Sequence, residues 1–195
     1  MSNLRGWIGG VVNPVCVGLE LIKKGVRVCF INYSHIEFHA KRNANRLGLS
    51  PSFDERWPDL IAGKNGVEVL IEVKGPLGFH KALEEALIET HKRNYINLAR
   101  DIGSHLALAY RDSGLNGQWA FILIYYHDKC RKSGELPIDT KPLIPDIISH
   151  DELSRLIRRE KGKVKLDEGK FERIKGRVKR LPLEEFIKIY GSGTE

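Results

Sequence analysis

The chain has 195 residues, a net charge of +7, 42% apolar residues and 29% charged ones. That is the composition of a globular protein with one sizeable core and an appendage, not of a disordered or fibrous chain. The longest apolar run, Trp119 to Tyr126, is far too short to span a bilayer, so no membrane partner is expected.

The opening segment, MSNLRGWIGGVV, lacks the apolar stretch and small-residue cleavage site of a signal peptide. Cys16, Cys29 and Cys130 form neither a CxxC pair nor an even-numbered framework. A cytoplasmic chain without a zinc site or disulfide scaffold is expected. Val15 to Lys24 reads as a short helix closed by Gly25, and the β-branched and aromatic run Val26 to Tyr33 as a strand. Ser34 is placed to cap a second helix, with Glu37 at the third position of a capping box, and that helix runs to Leu47 before Gly48. Leu49 to Trp57 reads as a loop. Asp59 to Ala62 and Val67 to Lys74 flank Lys64-Asn65-Gly66, and Asn-Gly is a strong hairpin signal because both residues tolerate positive φ.

Gly75, Pro76 and Gly78 are expected to end the second hairpin strand. A long helix is predicted from Lys81 to Asp101, then strands at Leu106 to Tyr110 and Trp119 to Tyr126. Lys129 to Pro145 is irregular. Helices are predicted over Asp151 to Lys161, over part of Lys163 to Lys179, and over Leu183 to Tyr190. The order implies a mixed α/β layer with a central sheet: a core domain over residues 1–148 and a basic helical extension over 149–195. Between Arg155 and Arg180 there are twelve Lys or Arg against four Asp or Glu, a local excess of +8 that leaves the rest near −1. Such a segment suits a polyanion, most simply nucleic acid.

The hairpin carries the chemistry. With a period of two, Val67, Val69, Ile71 and Val73 face one way and Glu68, Leu70, Glu72 and Lys74 the other. The tight turn and the 13-residue spacing bring Asp59 to the same end of the hairpin as Glu72. Two carboxylates and an ammonium therefore converge. Mg²⁺ takes oxygen ligands and keeps several waters, so Asp59 and Glu72, with the Val73 carbonyl as a further ligand, form a typical protein share of such a site. Lys74 is positioned to orient a water or to stabilise charge developing on phosphorus.

Pro58-Asp59 followed by Glu72-Val73-Lys74 resembles the signature of the PD-(D/E)XK nuclease superfamily, and residues 58–75, PDLIAGKNGVEVLIEVKG, are most similar to the archaeal Holliday-junction resolvases. The resemblance implies a restriction-endonuclease-like three-layer fold, with a central mixed sheet flanked by helices. It also implies an endonuclease dependent on Mg²⁺, with Mn²⁺ substituting, in which Asp59 and Glu72 hold the metal and Lys74 is the catalytic lysine. The resolvases carry another glutamate on the first helix; the matching place, near Asn13 or Pro14, has no acid. Glu37, by the wider superfamily's pattern, and Glu20 behind it are the candidates for that role. Ser34 matches a serine that follows the first strand in the resolvases, on an alignment different from the one that places Glu37.

The candidate nucleic-acid contacts are Ser34, Lys81, His91, Lys92 and Arg93 in the core, with His80 weaker, and Arg158, Arg159, Lys161, Lys163, Lys165, Arg177, Lys179 and Arg180 in the extension. Tyr95, four residues after His91, would share its helix face and reach phosphate with it. No sequence-reading DNA motif is present, which favours backbone tracking over base readout. Three functions follow. The first is a structure-selective endodeoxyribonuclease of recombination or repair, acting on branched or duplex DNA as a two-fold homodimer. The second is another superfamily nuclease of defence, restriction or mobile-element type, and the third a catalytically silent DNA-binding module.

Overall fold

The computed structural model describes residues 2–31, 57–127, 152, 155–160, 163–176 and 178–190. Helix α1 (Ser2–Lys23) leads through the left-handed Gly25 into β1 (Arg27–Phe30). A hairpin follows, β2 (Leu60–Lys64) and β3 (Val67–Leu77), then helices α2 (Phe79–Arg93) and α3 (Tyr95–Ile102). Strands β4 (His105–Asp112) and β5 (Gln118–Tyr125) come next. The extension supplies a hairpin, β6 (Ile157–Glu160) with β7 (Lys163–Leu166), then α4 (Glu168–Lys175), β8 (Arg180–Pro182) and α5 (Leu183–Ile187).

Six strands form one mixed sheet in the order β1-β2-β3-β4-β5-β8, antiparallel except for the β3–β4 pair, which is parallel. A parallel pair requires a crossover, and α2 and α3 provide it. The sheet is covered on both faces, giving the expected three-layer α/β architecture. On one face Val69, Ile71 and Val73 pack with Val17 and Leu21 of α1 and Phe186 of α5. On the other, Leu70 packs with Leu83 and Leu87 of α2 and with Tyr95 and Ile96 of α3. The apolar residues of the extension, Leu156, Leu166, Ile174 and Val178, join this second core. Among the described residues no helix is long and apolar enough to cross a membrane.

Several sequence expectations give way for identifiable reasons. The first helix begins at Ser2 rather than near Val15, with Pro14 inside it. The first strand is shorter than expected, Arg27–Phe30. Strand β3 does not end at Gly75. It slips register against β4 between Val73 and Pro76 and continues to Leu77; its pairing to β2 ends at Ile71, so Pro76 has no ladder bond to lose on that side. The long helix is two helices, broken at Asn94, whose φ of 59° is left-handed. Asparagine tolerates that conformation, and Asn97 Nδ2 donates to Asn94 Oδ1 across the break at 2.6 Å. The helix expected up to Lys161 yields to β6, because Ile157 and Leu166 are register partners that reach the second core as a hairpin. The helix expected from Ser34 and the irregular stretch from Lys129 to Pro145 lie outside the described residues.

Candidate functional site

Asn65 and Gly66 both have positive φ, 54° and 75°, the two-residue turn that Asn-Gly favours. That turn sets the register Leu60↔Ile71 and Ala62↔Val69. One step further along the same register, Asp59 stands across from Glu72. The parity of the strands then decides the face. Ile61 and Leu70 belong to the α2–α3 core, so Asp59 and Glu72 turn toward those helices. Asp59 Oδ2 accepts the Val73 backbone N–H at 2.8 Å, replacing the ladder bond that β2 no longer supplies at that point.

Glu72 is only 8% exposed and both of its oxygens are engaged. Lys74 Nζ donates to Oε1 at 2.7 Å and the Tyr95 hydroxyl to Oε2 at 3.1 Å. Arg93 lies alongside, its Nε donating to Glu89 Oε1 one helical turn back. Three acids (Asp59, Glu72 and Glu89) therefore share two cations (Lys74 and Arg93). Burial, and then the Glu72 charge, push the Asp59 carboxyl up to about 8, against the Val73 N–H and the charges of Lys74 and Arg93. Burial pulls the Lys74 ammonium down, but Glu72, with Glu89 and Asp59, outweighs it and holds the lysine above its ordinary value. Burial and the Glu72 charge likewise push the Tyr95 phenol up, so it stays a neutral donor. With all three acids ionised the site would hold more negative charge than its cations offset, and Asp59 is the one pushed toward its neutral form.

No protein-family model and no curated protein matches the chain. Among solved structures it is similar to Hjc, a Holliday junction resolvase from the archaeal hyperthermophile Archaeoglobus fulgidus. The two are 13% identical, the match covers 89% of this chain and 96% of that chain, and the TM-score is 0.38.

Asp59, Glu72 and Lys74 are brought together as the hairpin reading requires. Val73, whose carbonyl is the expected further ligand, also donates its N–H to Asp59. Glu37 and Ser34 lie outside the described residues. Glu20 is elsewhere: on α1, ion-paired with Lys23 at 3.0 Å, lining an open pocket of about 370 Å³ with Arg111, Trp119 and Glu184. Asn13 on α1 does approach the end of β3, since a Cβ on Gly75 would lie 3.6 Å from its Nδ2. Among the described residues no group of three or more His, Cys, Asp or Glu is arranged to hold a metal ion. The donor set is a pair of carboxylates, which fits Mg²⁺ with most of its coordination left to water.

The expected phosphate contacts scatter. Arg93 reaches the site; Lys92 is exposed, and His91 is half-buried. Lys81 pairs with Glu84 at 2.9 Å, and His80, exposed, sits beside Phe79 at the start of α2. On the β6–β7 hairpin, Glu160 pairs with Lys165 at 2.8 Å and with Arg158 at 4.0 Å. Lys179 is exposed. Arg180 is tied to the buried Asp112 at 3.1 Å, which gives it a structural task. Lys161, Arg177 and the side chains of Arg159 and Lys163 lie outside the described residues. Glu89 joins the site without being among the residues expected there, although its four-residue spacing from Arg93 is a visible signal in the sequence. Tyr95, expected at phosphate beside His91, instead donates to Glu72, because the break at Asn94 removes the helix face shared with His91.

Proposed function

We propose that the chain is a metal-dependent endonuclease that hydrolyses phosphodiester bonds in DNA. The observation that supports this best is the acid excess: Asp59 and Glu72 are held together, largely buried, against a single close lysine. Two like charges so placed are costly in a protein that does nothing with them, and a divalent cation is the species that relieves both at once. Asp59 and Glu72 would hold Mg²⁺ or Mn²⁺, which when bound polarises the phosphate and lowers the pKa of a bound water. Lys74 remains charged and lies on the same face, placed to orient that water or to meet charge on the phosphoryl oxygens. Arg93, fixed by Glu89, is a second cation at the edge of the site for a backbone phosphate. With Asp59 protonated the five charged groups sum to zero. With Asp59 ionised and a divalent cation added they sum to +1, the complement of one phosphodiester.

Within this class we favour a structure-selective, Holliday-junction-resolvase-like enzyme of recombination or repair, cytoplasmic and working as a homodimer, because residues 58–75 carry that resemblance and no base-reading motif is present. The test is incubation with a four-way junction, a flap, a single strand and linear duplex, each with Mg²⁺ or with EDTA. The expected result is paired symmetric nicks at the junction with Mg²⁺ only, and none from Asp59→Asn, which keeps the Val73 bond and loses the charge. Cleavage of linear duplex as readily as the junction would move the enzyme to the defence or restriction type. No cleavage of any substrate with Mg²⁺ or Mn²⁺ would leave a silent DNA-binding module.

A further inference from the structure

Arg93 and Tyr95 are two residues apart. On an unbroken α-helix such residues stand about 200° apart around the axis and cannot serve one point. Here both do. The Tyr95 hydroxyl donates to Glu72 Oε2, while the Arg93 charge bears on Asp59, Glu72 and Tyr95. Asn94 is what reconciles them. It is at once the C-cap of α2 and the N-cap of α3, with φ 59° and ψ 35°. Its N–H bonds back to the carbonyls of Thr90 and His91, and its own carbonyl accepts the Leu98 N–H. The joint ends one helix and restarts the next with a changed rotation, so residues on either side of it converge.

The two bonds to Glu72 differ in kind. Lys74 reaches Oε1 from a flexible stem whose side chain is 23% exposed. Tyr95 is 1% exposed and packed among Leu70, Ile96 and Ala99; its hydroxyl has nowhere to go. Building on the nuclease reading, we propose that Tyr95 is a positioning residue for the metal-binding carboxylate. It holds Oε2 and fixes the plane of the carboxylate that would take up a divalent cation, while Lys74, on its more flexible stem, can adjust at Oε1, and the left-handed Asn94 joint delivers the clamp. Donors behind a metal-binding group characteristically set affinity rather than substrate contact.

The experiment measures Mn²⁺ affinity by electron paramagnetic resonance of the free ion, together with KM for cleaved DNA, on the full chain. Y95F is expected to weaken Mn²⁺ about tenfold, the lower end for loss of such a donor, with KM for DNA unchanged. N94G keeps the left-handed joint and should stay near wild type; N94A disfavours it and should weaken Mn²⁺ as Y95F does. This pair decides the matter even if Y95F fails to fold, because it leaves the hydroxyl in place. Wild-type Mn²⁺ affinity in Y95F or N94A, or a raised KM for DNA with Mn²⁺ affinity intact, would overturn the clamp while the nuclease reading stands, provided wild type binds Mn²⁺ and D59N does not. A wild-type chain that binds no Mn²⁺ overturns both.

Discussion

Two buried acid clusters sit on the same sheet and look alike at first sight. At one, Asp112 accepts the Tyr110 hydroxyl at 2.9 Å, the Gly114 N–H at 2.7 Å and Arg180 Nη1 at 3.1 Å. At the other, Glu72 accepts a tyrosine hydroxyl and a lysine, with Asp59 across from it. The difference is arithmetic. One carboxylate with three donors and a full counter-charge is a satisfied structural cluster, here fastening β8 to the turn after β4. Two facing carboxylates that share one close ammonium are not satisfied, and burial pushes Asp59 up to about 8 in consequence. A buried tyrosine–acid–cation group by itself does not mark a functional site; an imbalance between acids and donors does.

Either cluster can be disrupted without touching the other. The largest effect is expected from Asp112→Ala, which strands Tyr110, the Gly114 N–H and Arg180. It should cost about 3 kcal/mol, at the low end for breaking a buried pair because Arg180 can turn toward water. Urea unfolding measures this, and Mn²⁺ affinity should not change. A loss below about 1 kcal/mol would mean that the cluster does not fasten β8.

Next in size is the metal itself. Mn²⁺ at a hundredfold excess over its Kd should stabilise wild type by about 2.7 kcal/mol, and Asp59→Asn by nothing measurable. Equal stabilisation of both would show ion binding elsewhere.

Asp59→Asn should also stabilise the metal-free protein at pH 8, on the order of 2 kcal/mol. The sign follows from the raised pKa. Between the unfolded value of 3.8 and the folded value of about 8 the native state binds more protons at Asp59, so wild-type stability from this group falls as pH rises. The advantage of the variant should therefore fade toward pH 4. An advantage that stays constant with pH would remove the Asp59–Glu72 repulsion from the account.

The smallest effect is assigned to Glu20→Gln. Its exposed pair with Lys23 should be worth within about 0.5 kcal/mol, and Mn²⁺ affinity should be unmoved. A large loss of affinity would return Glu20 to the metal site.

Much of the site was legible because it is local. A two-residue turn at Asn65–Gly66, a spacing of 13 and a period of two suffice to set Asp59 across from Glu72 with Lys74 on the same face. Errors arose where local preference competed with packing. Gly75–Pro76 reads as a stop, but an unpaired strand side tolerates proline. Asn94 is an ordinary helix residue by periodicity, yet it bends left-handed because two helices must lie over one crossover. Ile157 to Glu160 reads as helical until Leu166 offers Ile157 a hairpin partner against the second core.

The sequence by itself determined the acid pair, its lysine and the face they share, because hairpin register depends on residues a few positions apart. Only the tertiary structure decided which groups answer that pair. Tyr95, Arg93 and Glu89 arrive from helices whose placement depends on the β3–β4 crossover and on one left-handed residue. Asp112 acquires Arg180 only because β8 returns to pair with β5. Those contacts join residues tens of positions apart, and no local spacing encodes which of the chain's many acids will be left with fewer donors than it needs.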